Sequence, residues 1–147
     1  MLDGVIITQP QQFPDERGTV KHFITENDPQ FQHFGEVYMT TVYKDVIKGF
    51  HGYVSKTLHY VVPVGNIKLV MYDDRSASST YQDFEEVFLG QENYIRLTIP
   101  PGIFSAFRGM SNPYSLAVIC ADEVFDENKT LRIPIKDLPY DWSIKNR

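Results

Sequence analysis

The sequence predicts an all-β protein, built as a sandwich or barrel of short strands. Nine tyrosines and ten phenylalanines stand among its 147 residues, and β-branched residues recur in short runs. Gly, Pro, Asn and Asp separate these runs at close intervals. Strands favour aromatic and β-branched side chains, and short strands at such spacing are typical of a sandwich or barrel.

We predict nine strands, each an aromatic or β-branched run that ends at a turn. Turns are expected where the turn-forming residues cluster, at 14–18, 43–45, 65–66, 89–93, 100–102 and 111–113. The predicted strands are 19–25, 36–43, 47–53, 57–64, 67–73, 84–89, 94–99, 104–109 and 115–121.

Two segments need separate treatment. Residues 60–64 are apolar almost throughout, as in a strand buried on both faces. Because Pro63 has no N–H to donate, we expect it near a bend or a strand end. The tail from 128 to 147 carries two prolines, which favours an ordered extension rather than a strand.

Length and composition limit the classes of protein. The length favours one domain over residues 1–147. A net charge of −5 without a Lys/Arg cluster argues against a nucleic-acid surface. Cys120 is the only cysteine, so it forms no intramolecular disulfide, and its apolar run predicts a buried, inert thiol. The absence of a leader-like start and of an apolar stretch of ~20 residues favours a cytoplasmic protein without a membrane partner.

His51 is the candidate general base. Lys48, Gly49 and Phe50 lead into it along a predicted strand, and a small barrel can aim one imidazole into its mouth in this way. An imidazole with a pKa of about 6.5 takes up and returns a proton near neutral pH. The structural alternative is a core histidine hydrogen-bonded to a backbone carbonyl.

Three cations are candidates for substrate binding. Lys48 lies three residues before His51, so the two face opposite sides of the strand unless a bulge at Gly49 intervenes. Lys56 and Arg17 add further positive charge. Single cations at a barrel mouth suit a diphosphate or a carboxylate, although each could equally be a solvated surface charge.

The order of motifs along the chain resembles the dTDP-4-dehydrorhamnose 3,5-epimerase family of cupin barrels and, more closely, a set of shorter epimerase-related proteins. The matching segments span most of the chain, at 15–18, 47–51, 65, 73–75, 78–80, 97–102, 106–107 and 137–142. The resemblance implies a cupin barrel, also called a double-stranded β-helix or jelly roll, that binds a nucleotide-linked sugar and forms a homodimer. Within these segments we expect Asp73 and Arg75 to form a structural ion pair or a rim contact.

The resemblance also implies residue roles. His51 would remove protons next to a 4-keto group, and Asp137 would orient and polarise it, with Asp141 as a competing candidate. Arg17 and Lys48 match residues that hold the nucleotide sugar. Lys48 stands where an arginine is usual, an exchange that weakens bidentate phosphate recognition.

The chain departs from the family pattern at the catalytic tyrosine, which reprotonates the opposite face of the sugar. That tyrosine should fall in the late apolar strand, where residues 118–120 are Val-Ile-Cys. Tyr53 and Tyr114 are the candidate replacements, and both are predicted to contact the substrate. A base without an opposing acid returns the proton to the same face, which gives exchange, tautomerisation or ketoisomerisation rather than inversion.

A second departure bears on metal binding. A metal-binding cupin shows two histidines with one residue between them and another histidine after a Pro-x-Gly turn. This chain has Tyr53 two residues after His51, and Ser105 after the turn. These residues supply too few ligands for a transition metal. We therefore predict no metal and no cofactor, and we place Ser105 in the substrate site.

The resulting prediction is a cofactor-independent epimerase or ketoisomerase that moves a proton next to the keto group of a 4-keto-6-deoxy nucleotide sugar. One positioned base and donors for the developing enolate suffice for this chemistry. The alternative is a catalytically degenerate cupin that binds a sugar or nucleotide and has lost the acid.

Overall fold

Two five-stranded antiparallel sheets face each other, and a two-stranded hairpin lies outside them. The computed structural model describes residues 1–147. Its strands are β1 (Ile6–Thr8), β2 (Gln12–Asp15), β3 (Gly18–Lys21), β4 (Glu36–Tyr43), β5 (Ile47–Tyr53), β6 (Leu58–Val64), β7 (Asn66–Asp73), β8 (Phe84–Gly90), β9 (Arg96–Ile99), β10 (Ile103–Gly109), β11 (Tyr114–Ala121) and β12 (Thr130–Arg132).

The strand order is that of a jelly roll. The first sheet runs β1-β9-β6-β11-β4, and the second runs β12-β5-β10-β7-β8. Most neighbours within a sheet are distant in sequence, so the chain crosses repeatedly between the sheets, as in a double-sheet jelly roll. The predicted all-β cupin-type fold is confirmed.

The main core fills the space between the sheets. Its members are aliphatic and aromatic residues from both inner faces, for example Leu69, Leu97 and Ile119, each fully buried. Burying one such side chain stabilises the fold by about 1.5–3 kcal/mol. Pro63 lies at an irregularity in the β6–β11 pairing, near the end of β6, as its missing N–H predicts.

A second core covers the outer face of the second sheet. Five buried residues form its base: Phe50, Val70, Tyr72, Phe104 and Ala106. The C-terminal tail packs over them with Ile133, Ile135, Leu138, Tyr140 and Trp142. The tail is therefore ordered, as predicted, and its prolines separate short segments that follow the sheet surface.

The sequence prediction missed three strands. β1 and β2 lie in the N-terminal region, where the sequence predicts no strand. The predicted strand 19–25 is limited to Gly18–Lys21, paired with β2 across a tight turn. β12 lies in the tail, where an extension without strands was predicted, so that part of the prediction is wrong. Residues 130–132 form a strand because they pair with the edge of β5, a contact that local sequence does not record. The structure contains no helix of the length and apolarity needed to cross a membrane.

Candidate functional site

A pocket of about 440 Å³ opens between the two sheets. β4 and β6 of the first sheet supply one wall, and β5, β10 and β12 of the second sheet supply the other. The lining residues are Glu36, Tyr38, Thr40, Lys48, His51, Tyr53, Lys56, Tyr60, Phe107, Phe125, Thr130 and Arg132. Base, cations and phenols thus meet in one place.

A bulge in β5 brings Lys48 and His51 into the same pocket. His51 pairs with Ser105 and Lys48 pairs with Phe107, so three steps along β5 match two steps along β10. The extra residue lies beside Gly49, whose φ is +132°, and a Cβ there would lie 2.6 Å from the Cα of Ala106. Only glycine fits such a position. The bulge anticipated at Gly49 is therefore present.

His51 presents a free imidazole to the pocket. Neither ring nitrogen forms a hydrogen bond within the protein, whereas His59, which is buried, contacts the Thr98 hydroxyl at 2.9 Å. Partial burial, then the charges of Arg132 and Lys48, lower the pKa of His51 below its ordinary value of 6.5. A neutral imidazole at neutral pH can accept a proton, as a general base requires.

Asp137 does not reach His51. It lies exposed in a short 3₁₀ helix, Ile135–Asp137, whose neighbours Ile135 and Leu138 pack on the outer face of the second sheet. His51 opens on the other side of that sheet, and no hydrogen bond or ion pair joins the two side chains. The tail residue beside His51 is its register partner Arg132, which the sequence prediction missed because its place depends on the pairing of β12.

Both predicted lysines lie in the pocket. The Lys48 Nζ donates to the Thr40 Oγ1 at 2.9 Å and to the Thr41 carbonyl at 3.0 Å. Lys56 is buried, with its Nζ 3.4 Å from Glu36 and 4.8 Å from the centre of the Tyr53 ring. Each lysine therefore joins the wall that holds His51 to the wall formed by β4.

The remaining predicted contacts divide between the pocket and other places. Tyr53 lines the pocket. Ser105 lies buried behind it, as the register partner of His51. Tyr114 is exposed at the start of β11, outside the pocket. Arg17 lies in the β2–β3 hairpin, also outside the pocket, and forms an ion pair with Asp15 at 2.5 Å.

Two further phenols occupy the wall opposite His51. Tyr38 and Tyr60 are the register partners of Ile119, one on each side of it. Burial and neighbouring phenols raise the pKa of each above its ordinary value. Alternation along 36–43 places Glu36, Tyr38 and Thr40 on one face, and this signal could have identified Tyr38 from the sequence.

The motif at 73–80 forms a closed polar cluster away from the pocket. The Asp73 carboxylate is fully buried and accepts hydrogen bonds from Arg75, Ser78 and Thr80. Although burial alone would raise it, these hydrogen bonds hold the pKa of Asp73 well below its usual range. The expected ion pair between Asp73 and Arg75 is present, at 2.8 Å.

The structure contains no group of three or more His, Cys, Asp or Glu residues that could hold a metal ion. Cys120 is buried, as predicted, and its burial raises the pKa of the thiol.

The fold and the site together define a cupin-type barrel that carries one free imidazole, flanked by cations, at its mouth. The sequence model described as dTDP-4-dehydrorhamnose 3,5-epimerase matches residues 1–146. The chain belongs to this family.

Known proteins of similar sequence and structure agree with that assignment. The chain is 25% identical to the spore coat polysaccharide biosynthesis protein SpsL of Bacillus subtilis (strain 168), over the full length of both chains. It is 30% identical to the dTDP-4-dehydrorhamnose 3,5-epimerase of Methanothermobacter thermautotrophicus, over 98% of this chain and 82% of that one. The crystal structure of a dTDP sugar isomerase from Desulfovibrio desulfuricans G20 superposes with a TM-score of 0.91 at 31% identity, covering 96% of this chain and 92% of the other.

Proposed function

We propose that the protein is a nucleotide-sugar epimerase or ketoisomerase that moves a proton next to the keto group of a 4-keto-6-deoxy nucleotide sugar. The observation that carries the proposal is the His51 imidazole, which has no hydrogen-bond partner in the protein. Its pKa is lowered, and it lines a pocket of about 440 Å³. The named activities of the related epimerase and isomerase support the substrate class.

The pocket residues divide the work between binding and chemistry. Lys48 and Arg132 flank His51 and suit the diphosphate of the substrate, because phosphate oxygens bind concentrated positive charge. His51 removes the proton next to the keto group, which leaves an enolate. Lys56, buried beside Tyr53, offers a positive charge to the enolate oxygen. This chemistry uses protein groups alone, so the proposal includes independence of metals and cofactors.

Proton exchange in heavy water tests the function. The protein is incubated with dTDP-4-keto-6-deoxyglucose in D₂O, and deuterium at the carbons next to the keto group is followed by NMR and mass spectrometry. We expect incorporation that scales with enzyme concentration and exceeds that of the substrate alone. Absence of deuterium at these carbons, both with and without protein, would contradict the proposal.

A second candidate function is binding without catalysis. The observations that favour it are Ile119, in the strand where the family resemblance places the catalytic tyrosine, and Asp137, which lies away from His51. A binding barrel would take up the nucleotide sugar, measured by calorimetry, and incorporate no deuterium. The two measurements together separate the candidates.

We also propose that the protein forms a homodimer through the exposed side of β4. This strand is one of the two edges of the first sheet, and it exposes Val37 and Met39 at 50% and 67%. Exposed apolar residues on an edge strand favour association. Light scattering should give twice the mass of one chain for the wild-type protein. The Met39→Lys variant should have the mass of a single chain. A wild-type monomer would contradict this proposal.

The named role of SpsL in polysaccharide biosynthesis supports a place for this protein in deoxysugar formation for a polysaccharide. We propose that it works there as one cytoplasmic domain. Fractionation of cells that express the tagged protein tests the location.

A further inference from the structure

The wall opposite His51 has a tyrosine on each side of Ile119, the β11 residue that stands where the family resemblance places the catalytic tyrosine. Ile119 of β11 is fully buried, with Tyr38 of β4 as its partner on one side and Tyr60 of β6 on the other. Directly paired residues of an antiparallel sheet project to the same face. Tyr38 and Tyr60 therefore flank the Ile119 side chain on the inner face, toward the pocket.

Contacts between the two walls place Tyr38 across from His51. The Lys48 Nζ bonds to Thr40, and the Lys56 Nζ lies 3.4 Å from Glu36. Along β4, Tyr38 lies midway between Thr40 and Glu36, and along the chain His51 lies between the two lysines. The two lysines therefore contact Thr40 and Glu36, the residues on either side of Tyr38. This places the Tyr38 phenol across the pocket from the His51 imidazole.

Tyr38 is also more accessible than Tyr60. Tyr60 is only 5% exposed and lies deeper, next to the buried Ser105. Tyr38 is only partly buried and also lines the pocket. Of the two phenols beside Ile119, Tyr38 is the one with room for a substrate in front of it.

Given the proposed function, we propose that Tyr38 is the proton donor for the sugar face opposite His51. His51 takes the proton from the carbon next to the keto group, and the C–H electron pair becomes that of the enolate. The Tyr38 O–H then gives its proton to the same carbon from the other wall, which forms the inverted C–H bond. The imidazolium releases a proton to water and the phenolate takes one from water, so the enzyme returns to its starting state.

The electrostatics of the wall keep the Tyr38 hydroxyl in its protonated form. Burial and the phenols of Tyr60 and Tyr53 raise the pKa of Tyr38, so the hydroxyl keeps its proton at neutral pH. The phenolate formed in the reaction is correspondingly basic and regains a proton from water readily. Tyr53 and Tyr60 act in this scheme as positioning residues beside the donor, because Tyr53 lies on the same strand as His51 and Tyr60 lies deeper in the opposite wall.

The test separates inversion from exchange. Tyr38→Phe is compared with wild type on dTDP-4-keto-6-deoxyglucose in D₂O, and NMR follows both deuterium incorporation and configuration at the reacting carbons. We expect inversion to fall about 10²-fold or more, while exchange through His51 stays within a few-fold. The matched control is Tyr43→Phe on the same strand, where the side chain is 68% exposed on the other face; it should leave both rates unchanged.

Four results would overturn this assignment. They are undiminished inversion in Tyr38→Phe, loss of exchange together with inversion in that variant, selective loss of inversion in Tyr60→Phe or Tyr53→Phe instead, and a wild-type protein that exchanges without inverting. Each leaves proton abstraction by His51 standing, because wild-type exchange reports on it separately. A wild-type protein with no exchange at all would remove the proposed function and the assignment together.

Discussion

The Asp73 cluster and the His51 pocket are both polar groups set into an apolar barrel, yet they treat their polar atoms in opposite ways. Asp73 is fully buried, and Arg75, Ser78 and Thr80 donate to its carboxylate. His51 has no hydrogen-bond partner in the protein. A buried polar group with all its partners stabilises a fold. A polar side chain that has no partner in the protein and lines a pocket is available to bind a substrate. Both motifs stand out in the sequence. Whether their hydrogen bonds are complete distinguishes the structural cluster from the candidate catalytic residue.

The sharpest way to break this comparison is to remove the free group. His51→Asn should reduce deuterium exchange about 10³-fold, because the base is lost, and should leave nucleotide binding within a few-fold. Since the His51 side chain forms no hydrogen bond within the protein, the free energy of unfolding should change by less than about 0.5 kcal/mol. Exchange kinetics, calorimetry and chemical denaturation measure the three quantities. Full turnover in this variant would exclude His51 as the base.

The opposite pattern is expected at the satisfied cluster. Asp73→Asn removes the charge that Arg75 and two hydroxyls surround, and it should cost about 2 kcal/mol of unfolding free energy while the exchange rate per folded molecule stays unchanged. Asp74→Asn is the matched control, since Asp74 is exposed. Equal stability in the two variants would refute a structural role for the Asp73 cluster.

The same carboxylate sets a pH dependence. Hydrogen bonds in the folded state lower the pKa of Asp73 below its ordinary value of 3.8, so its stabilising contribution is complete above pH 3.8. The contribution is lost as the pH falls from 3.8 toward the folded-state pKa. The stability gap between wild type and Asp73→Asn should therefore be constant near neutral pH and narrow in acid. Denaturation series from pH 7 to pH 3 measure it, and a gap independent of pH would contradict the assignment.

The charges around the free imidazole allow a finer test. Arg132 lowers the pKa of His51, so the acid limb of kcat/KM should lie below pH 6.5, and Arg132→Gln should move it upward. The same variant should raise KM about 10-fold, because a phosphate contact is lost. Lys136→Gln is the control, since Lys136 lies exposed on the tail. An unmoved limb would show that Arg132 is electrostatically remote from the base.

The smallest effect is expected from chelation. Dialysis against EDTA should leave the exchange rate unchanged if protein groups alone move the proton. Metal analysis of the purified protein accompanies the assay. A tightly held equivalent of zinc, iron or manganese whose removal abolishes exchange would replace the proposed chemistry.

Much of the fold follows from local patterns. β4 and β5 have the predicted bounds, since alternating aromatic and β-branched runs between clear turns define them. β12 could not be predicted, because a segment of only three residues becomes a strand through its pairing with β5. Tertiary pairing overrides local preference in such a case.

The site was predictable where one strand carried it. His51, Lys48, Tyr53 and Lys56 all come from β5 and the loop that follows it, and all line the pocket. Arg132 was missed, because its place depends on strand pairing between distant parts of the chain.

Three predicted contacts lie elsewhere in the structure. Arg17 lies in the β2–β3 hairpin, where it pairs with Asp15. The resemblance placed Asp137 beside His51, but the tail carries it to the outer face of the second sheet. The sequence supports Tyr114 by its residue type alone, and its exposed position at the start of β11 separates it from the pocket.

The pairing of β12 with β5 has a consequence for solubility. Without β12, β5 would be the open edge of the second sheet, and the free N–H and C=O groups of an edge strand are a template for association with other chains. Thr130, Leu131 and Arg132 cover that edge opposite Tyr53, Gly52 and His51. The segment that shields the sheet from aggregation is therefore the one that delivers a guanidinium to the imidazole. Detachment of residues 130–132 from β5 would expose an edge that is prone to association and would remove a cation from the pocket in one event.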